Sequence, residues 1–189
     1  MSAVQKSILI TCDDYLQDEL NRDIKHELIN GSIYAMAGAS ANHERIGGNL
    51  ARKFGNHLES SSCEVFTSDM KVKVGDNFFY PDVLVDCQFD NTSPYFSDNP
   101  VIIVEVLSKS TRRIDKKVKF FAYMNVESVQ EYVLIEQDYV DITVFRRKKS
   151  WIAEHYFLGE TVKFDAIDLE LSVEEIYHRV DNEDMLEFF

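Results

Sequence analysis

Phe79-Tyr80-Pro81-Asp82-Val83-Leu84-Val85-Asp86 and, one loop later, Val101-Ile102-Ile103-Val104-Glu105-Val106-Leu107 decide how this chain folds. Both are short apolar runs, rich in β-branched residues and bounded by Pro, Asn and Ser. Strands buried on both faces read this way. Each run nevertheless carries a carboxylate, Asp82 near the start of the first and Glu105 near the end of the second. An unpaired buried carboxylate loses its hydration, and two on neighbouring strands repel unless a cation lies between them. A hard divalent ion suits that place, because Mg²⁺ is held by one or two carboxylates plus water and phosphate oxygen.

Around these strands the order of elements is that of one α/β domain, reaching to about residue 180, with an acidic and loose tail over 181–189. Thr11 is placed to cap a first helix. Residues 24–29 and 32–37 read as strands around the turn Asn30-Gly31. Ile46, Leu50, Phe54 and Leu58 recur at helical spacing within about 43–59. Residues 63–74 read as one strand, which Gly75-Asp76-Asn77 turns into a hairpin with the Asp82 segment. The composition of residues 88–100 is that of a surface loop. A helix over about 112–124 is expected with Val118, Phe121 and Ala122 inward, then strands at 131–136, 140–147 and 151–158. Ser172 is placed to cap a closing helix near 173–180.

With 189 residues, 45% of them hydrophobic, the chain can bury a sizeable core. No apolar run has the length of a membrane span, and the N-terminus lacks a signal-peptide layout, so a cytoplasmic protein is expected. Cys12, Cys63 and Cys87 are far apart and form no zinc-ligand spacing, so idle thiols are expected rather than a disulfide. The net charge of -13 argues against a surface coated with phosphate-binding lysines. The cations cluster instead, at Lys109, Arg112, Arg113, Lys116, Lys117 and Lys119, and again at Arg146-Arg147-Lys148-Lys149. There is no P-loop, no GxSxG elbow and no HExxH, which leaves an ATPase, a serine hydrolase or a zinc protease without support.

Tyr80-Pro81-Asp82, then Val104-Glu105-Val106-Leu107-Ser108-Lys109-Ser110-Thr111, then Asp115, Lys119 and Tyr123 form an ordered set. With Glu27-Leu28-Ile29-Asn30-Gly31, His43, Glu131-Tyr132 and the Ser172–Tyr177 end, this set resembles the Uma-two family, a restriction-endonuclease-like branch of the PD-(D/E)XK nucleases. The likeness runs over about residues 10–180. It implies a mixed central β-sheet flanked by helices, with Asp82 and Glu105 as ligands of Mg²⁺ (or Mn²⁺) and the Val106 carbonyl completing the protein's share of the shell. It also implies hydrolysis of DNA phosphodiesters. Leu107 stands where the superfamily's simplest pattern has a lysine; the family takes that lysine from the next helix, where Lys119 matches. Glu27 and His43 would support the site, Arg112 and Arg113 would contact phosphate, and a homodimer could set two sites on a duplex.

Each residue has a plainer reading. Asp82 could cap a loop, and Glu105 could form a buried salt bridge, with Lys119 as its partner. Lys119 could pair with Asp115 on the solvent side. Glu27 could face water, and His43 could be a cap. A catalytically idle binding or regulatory module, or a hydrolase of another phosphate ester, are the competing functions.

Overall fold

The computed structural model describes residues 9–188; residues 1–8 of the expected domain and 189 of the expected tail lie outside them. Helix α1 (Cys12–Glu19) is capped by Thr11, whose hydroxyl oxygen accepts the Asp14 amide. Strands β1 (His26–Ile29) and β2 (Ser32–Ala35) form a hairpin. Its turn residues Asn30 and Gly31 both take left-handed backbone, φ 50° and 74°, as a two-residue turn of this hand requires. Ser40 caps α2 (Ala41–Leu58), and the helical spacing buries Ile46, Leu50, Phe54 and Leu58 together. Each contributes roughly 1.5–3 kcal/mol of burial.

The stretch 63–74 is two strands rather than the single one expected. Strands β3 (Glu64–Thr67) and β4 (Lys71–Val74) are separated by a turn closed by the Met70 amide on the Thr67 carbonyl, and they enter different sheets. The expected hairpin joins β4 to β5 (Asn77–Phe79) but stops before Pro81. Proline has no amide to continue a ladder, so β6 (Val83–Asp86) starts afresh in the second sheet. Then follow β7 (Phe96–Ser97) and β8 (Pro100–Leu107), a π-helix over Ile114–Lys119, and α3 (Phe120–Met124). The chain continues with β9 (Glu131–Glu136), β10 (Ile142–Arg146), β11 (Ala153–Tyr156), and an unforeseen hairpin of β12 (Thr161–Phe164) and β13 (Leu169–Ser172). It closes with α4 (Val173–Ile176) and α5 (Glu183–Phe188). Ser172 and Glu175 form a capping box on α4.

The centre is a six-stranded mixed sheet in the order β11-β10-β9-β8-β6-β3. It is antiparallel except where β8 and β9 run parallel across the π-helix and α3. Alternation divides its side chains between two cores. Val83, Val85, Val104 and Val106 pack with α2 and α4 on one face. Leu84, Ile103 and Leu107 pack on the other with Val72, Phe79, Tyr123 and Tyr132. The fold is therefore the restriction-endonuclease-like α/β class, with a five-stranded sheet β2-β1-β5-β4-β7 beside the central one.

Three expectations need correction. The helix after β8 does not turn Val118 and Phe121 inward; they are 42% and 63% exposed, and only Ala122 of the three packs inside. A π-helix bonds residue i to i+5, so residues four apart share a face. The buried line is Asp115, Lys119 and Tyr123. Cys63 and Cys87 are joined in a disulfide, leaving Cys12 free. They directly flank β3 and β6, whose antiparallel register ends with Glu64 opposite Asp86, so pairing brings together two residues far apart in sequence. The segment after residue 180 is docked rather than loose: Met185 lies in the main core and the Asp184 carboxylate accepts the Val140 amide at 2.7 Å. Among the described residues no helix is long and apolar enough to cross a membrane.

Candidate active site

The register that sets Val83 opposite Val104 brings Asp82, one residue earlier, across from Glu105. The Asp82 amide donates to the Val104 carbonyl at 3.1 Å, and the Val106 amide donates to Asp82 Oδ2 at 2.6 Å. Pro81 keeps Asp82 out of the preceding hairpin, so this acid sits at the open end of β6 with its carboxylate slightly exposed. Glu105 lies inside β8 and is buried. The Val106 carbonyl, expected as a ligand, belongs to the residue whose amide holds Asp82.

The π-helix delivers Lys119. Its Nζ stands 2.8 Å from Glu27 Oε1, 3.0 Å from Glu105 Oε1 and 3.2 Å from Asp115 Oδ1, with the side chain 5% exposed. The solvent-side reading of Lys119 is therefore excluded. Glu27 is buried on β1 rather than facing water, and its Oε1 also accepts the Tyr80 amide at 3.1 Å. His43, in the first turn of α2, points Nε2 at Asp82 Oδ2, 3.3 Å away, while the cap of that helix is Ser40. Asp82, Glu105, Lys119, Glu27 and His43 thus come together from five separate elements. The Tyr123 hydroxyl, on the face that carries Lys119, donates to Glu105 Oε1 at 3.4 Å. Asp115 and Tyr123 carry more of the site than their pattern suggested; the four-residue spacing of Asp115, Lys119 and Tyr123 was the available signal.

The electrostatics follow from burial. Glu105 is held well above the usual carboxyl range, first by burial and then by Asp115, Asp82 and Glu27, against the opposing pull of Lys119. Asp115 is also raised, again by burial first, with Lys119 and Thr111 working against it. Its Oδ1 has no well-directed hydrogen bond although the ammonium is near. Burial would lower Lys119, but Glu105, Glu27 and Asp115 together push it well up. Burial likewise opposes the proton on His43, and the bond to Asp82 and its charge outweigh it, raising the imidazole. Glu27, Asp82, Glu105 and Asp115 are four carboxylates sharing one ammonium and one imidazole. The cluster holds more carboxyl groups than cations, with Glu105 and Asp115 both shifted toward the protonated form.

Among the described residues no group of three or more His, Cys, Asp or Glu side chains is arranged to hold a metal ion. The donors at hand are the Asp82 and Glu105 carboxylates and the Val106 carbonyl, all hard oxygens, the set a hydrated Mg²⁺ accepts with few protein ligands. The surplus of carboxyl oxygens over cations fits such an ion.

The two arginines part company. Arg112 donates to Glu136 at 2.5 Å and lies 3.6 Å from Asp138, whereas Arg113 is exposed with no ion pair among the described residues. The second cationic block is largely neutralised: Arg146 is buried among Glu131, Glu154 and Asp165, and Lys148 and Lys149 pair with Asp165 and Glu154.

A mixed sheet with paired acids on adjacent strands and a helix-borne lysine defines a restriction-endonuclease-like nuclease fold. Residues 12–174 match the family model described as "Uma2: Putative restriction endonuclease", and the chain belongs to that family. It is 35% identical over 170 residues to the Synechocystis sp. uncharacterized protein slr1290, covering 87% of this chain and 90% of that one. It is 39% identical over 142 residues to the Synechocystis sp. uncharacterized protein sll1609, covering 72% and 80%. Among solved structures it superposes on a putative nuclease belonging to DUF820 from Anabaena variabilis, with a TM-score of 0.75 at 19% identity over 89% of this chain and 97% of that one.

Proposed function

We propose that the protein is a Mg²⁺-dependent endonuclease that hydrolyses DNA phosphodiester bonds, with Mn²⁺ able to replace Mg²⁺. The carrying observation is the surplus of buried carboxylate around Lys119. Burying like charges together is costly, and one carboxylate would have sufficed to neutralise a structural lysine. In this reading Asp82, Glu105 and the Val106 carbonyl hold the cation. When bound, such an ion polarises the phosphoryl oxygen and lowers the pKa of water enough to yield a nucleophile near neutral pH.

The remaining work falls to the chain. Lys119, fixed by its carboxylates, presents a positioned ammonium that orients the attacking water and offsets charge developing on the phosphoryl group. Glu27 ties that ammonium to the Tyr80 amide and so to the turn that carries Asp82. His43 and the Val106 amide hold Asp82 Oδ2 in one orientation. Arg113 is free to contact a phosphate, while Arg112 is engaged by Glu136. A homodimer presenting two such sites to a duplex belongs to the same reading, as does a cytoplasmic location.

Two observations favour the idle-module alternative: Lys119 already neutralises part of the charge on Glu105, and Leu107 holds the position where the superfamily's simplest pattern has its lysine. The test is calorimetric titration of Mg²⁺ and Mn²⁺ into the wild type, Asp82→Ala and Glu105→Ala, with nicking of supercoiled plasmid followed in parallel. Binding and nicking by the wild type, lost in both folded variants, would support the nuclease. Absence of any metal binding would transfer the acids to a structural role.

A further inference from the structure

Among the described residues three cationic side chains are buried: Lys71, Lys119 and Arg146. Two are matched to acids. Lys119 has Glu27, Glu105 and Asp115, and Arg146 has Glu131, Glu154 and Asp165. Lys71 is 6% exposed and has no carboxylate at ion-pair distance among the described residues. Its Nζ donates to the Tyr95 carbonyl at 3.3 Å and lies 5.1 Å from the centre of the Tyr80 ring. An ammonium has three donors, so two remain for something else. Of the acids nearest in charge, Asp69 pairs with Lys25, and Glu19 accepts the His26 amide and the Tyr80 hydroxyl on Oε1, while its Oε2 is buried without a hydrogen bond and beyond ion-pair distance of Lys71. Burial pulls the Lys71 amine below the usual lysine value, against the weaker opposing pull of Glu19 and Asp69.

A buried cation with no direct ion pair is costly, and its place in the fold suggests what offsets it. Tyr80, whose ring Lys71 overlies, donates its own amide to Glu27 and is followed by Pro81 and Asp82. The half-exposed Lys25 places its Nζ 5.9 Å from the same ring centre. The ammonium lies directly under the loop bearing Tyr95, which is 52% exposed. Two ammonium groups over one aromatic ring, that of Lys25 also paired with Asp69, are elements with which proteins hold a single strand, by phosphate contact and base stacking. We propose that Lys71, assisted by Lys25, is a phosphate-binding subsite beside the acid cluster. It takes the phosphodiester that flanks, along the strand, the one addressed by Asp82 and Glu105. The identity of the strand rests on the nuclease reading; the anion site itself does not.

The test uses Lys71→Met, which keeps length and removes charge, and Lys25→Met, whose side chain is too exposed to endanger the fold. Binding of a short single-stranded DNA is followed by fluorescence anisotropy in EDTA between about 50 and 200 mM salt. In parallel, inorganic phosphate is titrated while the ¹⁵N resonance of the Lys71 amino group is observed. Lys71→Met should melt no lower than the wild type, since it loses an unpaired buried charge. It should bind DNA about fivefold more weakly, with the salt slope reduced by about one phosphate's share. Lys25→Met should weaken binding to a smaller degree, and phosphate should shift the Lys71 signal. Unchanged affinity and slope in Lys71→Met would overturn the inference, as would a lower melting temperature or a failure to fold, because Lys71 would then be structural. Plasmid nicking by the wild type together with unaffected Lys71→Met would discard the subsite and leave the nuclease intact. A phosphate-shifted Lys71 in a protein that never nicks would do the reverse.

Discussion

Replacing Lys119 with Met removes the ammonium shared by Glu27, Glu105 and Asp115 while keeping the apolar stem against its neighbours. All four side chains are less than a tenth exposed, and the three contacts lie between 2.8 and 3.2 Å. Breaking a buried ion pair by deleting one partner costs about 3–5 kcal/mol. For a chain of this size each kcal/mol moves the melting temperature by roughly 2–4 °C, so a fall of roughly 6–20 °C is expected at about pH 8. The loss should shrink on acidification. Glu105 and Asp115 are already raised by burial, and Lys119 is the largest influence holding them down. Without it their folded-state values climb further, and the folded variant binds protons that the unfolded chain has released. Its stability is therefore lost as pH rises from the ordinary carboxyl range through those raised values, and is recovered near about pH 5. Calorimetric melts of wild type and variant at both pH values measure this. A variant that melts within about 2 °C of the wild type at pH 8 would refute the buried cluster as drawn.

Exchanging Phe121 for Ser should change stability by no more than about 0.5 kcal/mol, as at other exposed positions, whereas Tyr123→Ala on the opposite face should cost about 3–5 kcal/mol; urea titrations of both check which face of α3 is buried. Thiol labelling of the unfolded, unreduced protein should find one reactive cysteine, Cys12, and all three after reduction. Replacing Ser172 with Ala should destabilise by about 1 kcal/mol through loss of the α4 capping box, read as a lower urea midpoint at unchanged slope.

The parts of the fold that the sequence disclosed were those where one local rule acts alone. The two apolar runs are adjacent strands of the central sheet, α2 buries the four residues its periodicity selected, and Asn30-Gly31 makes its turn. What it concealed depends on contacts between segments. Residues 63–74 alternate well enough to read as one strand, and only the competition between two sheets divides them at Thr67–Met70. Cys63 and Cys87 become neighbours only through the β3–β6 register. Met185 in an acidic tail gives no local sign that a hydrophobic core awaits it.

The helix after β8 misled for a different reason, and one that concerns function. Apolar periodicity assumes that the buried face of a helix is its apolar face. Here the buried face holds Asp115, Lys119 and Tyr123, while Val118 and Phe121 are left in water. The same face also packs Ile114, Phe120 and Ala122 against the core, so its burial is shared between apolar and charged side chains. The four-residue spacing sets Asp115 and Lys119 on one face, directed at Glu105, within a π-wound segment of a kind that recurs at functional sites. Local preference and global fold agree through most of this chain and conflict here, next to the paired acids. A conflict of that kind is expected at functional or strained sites.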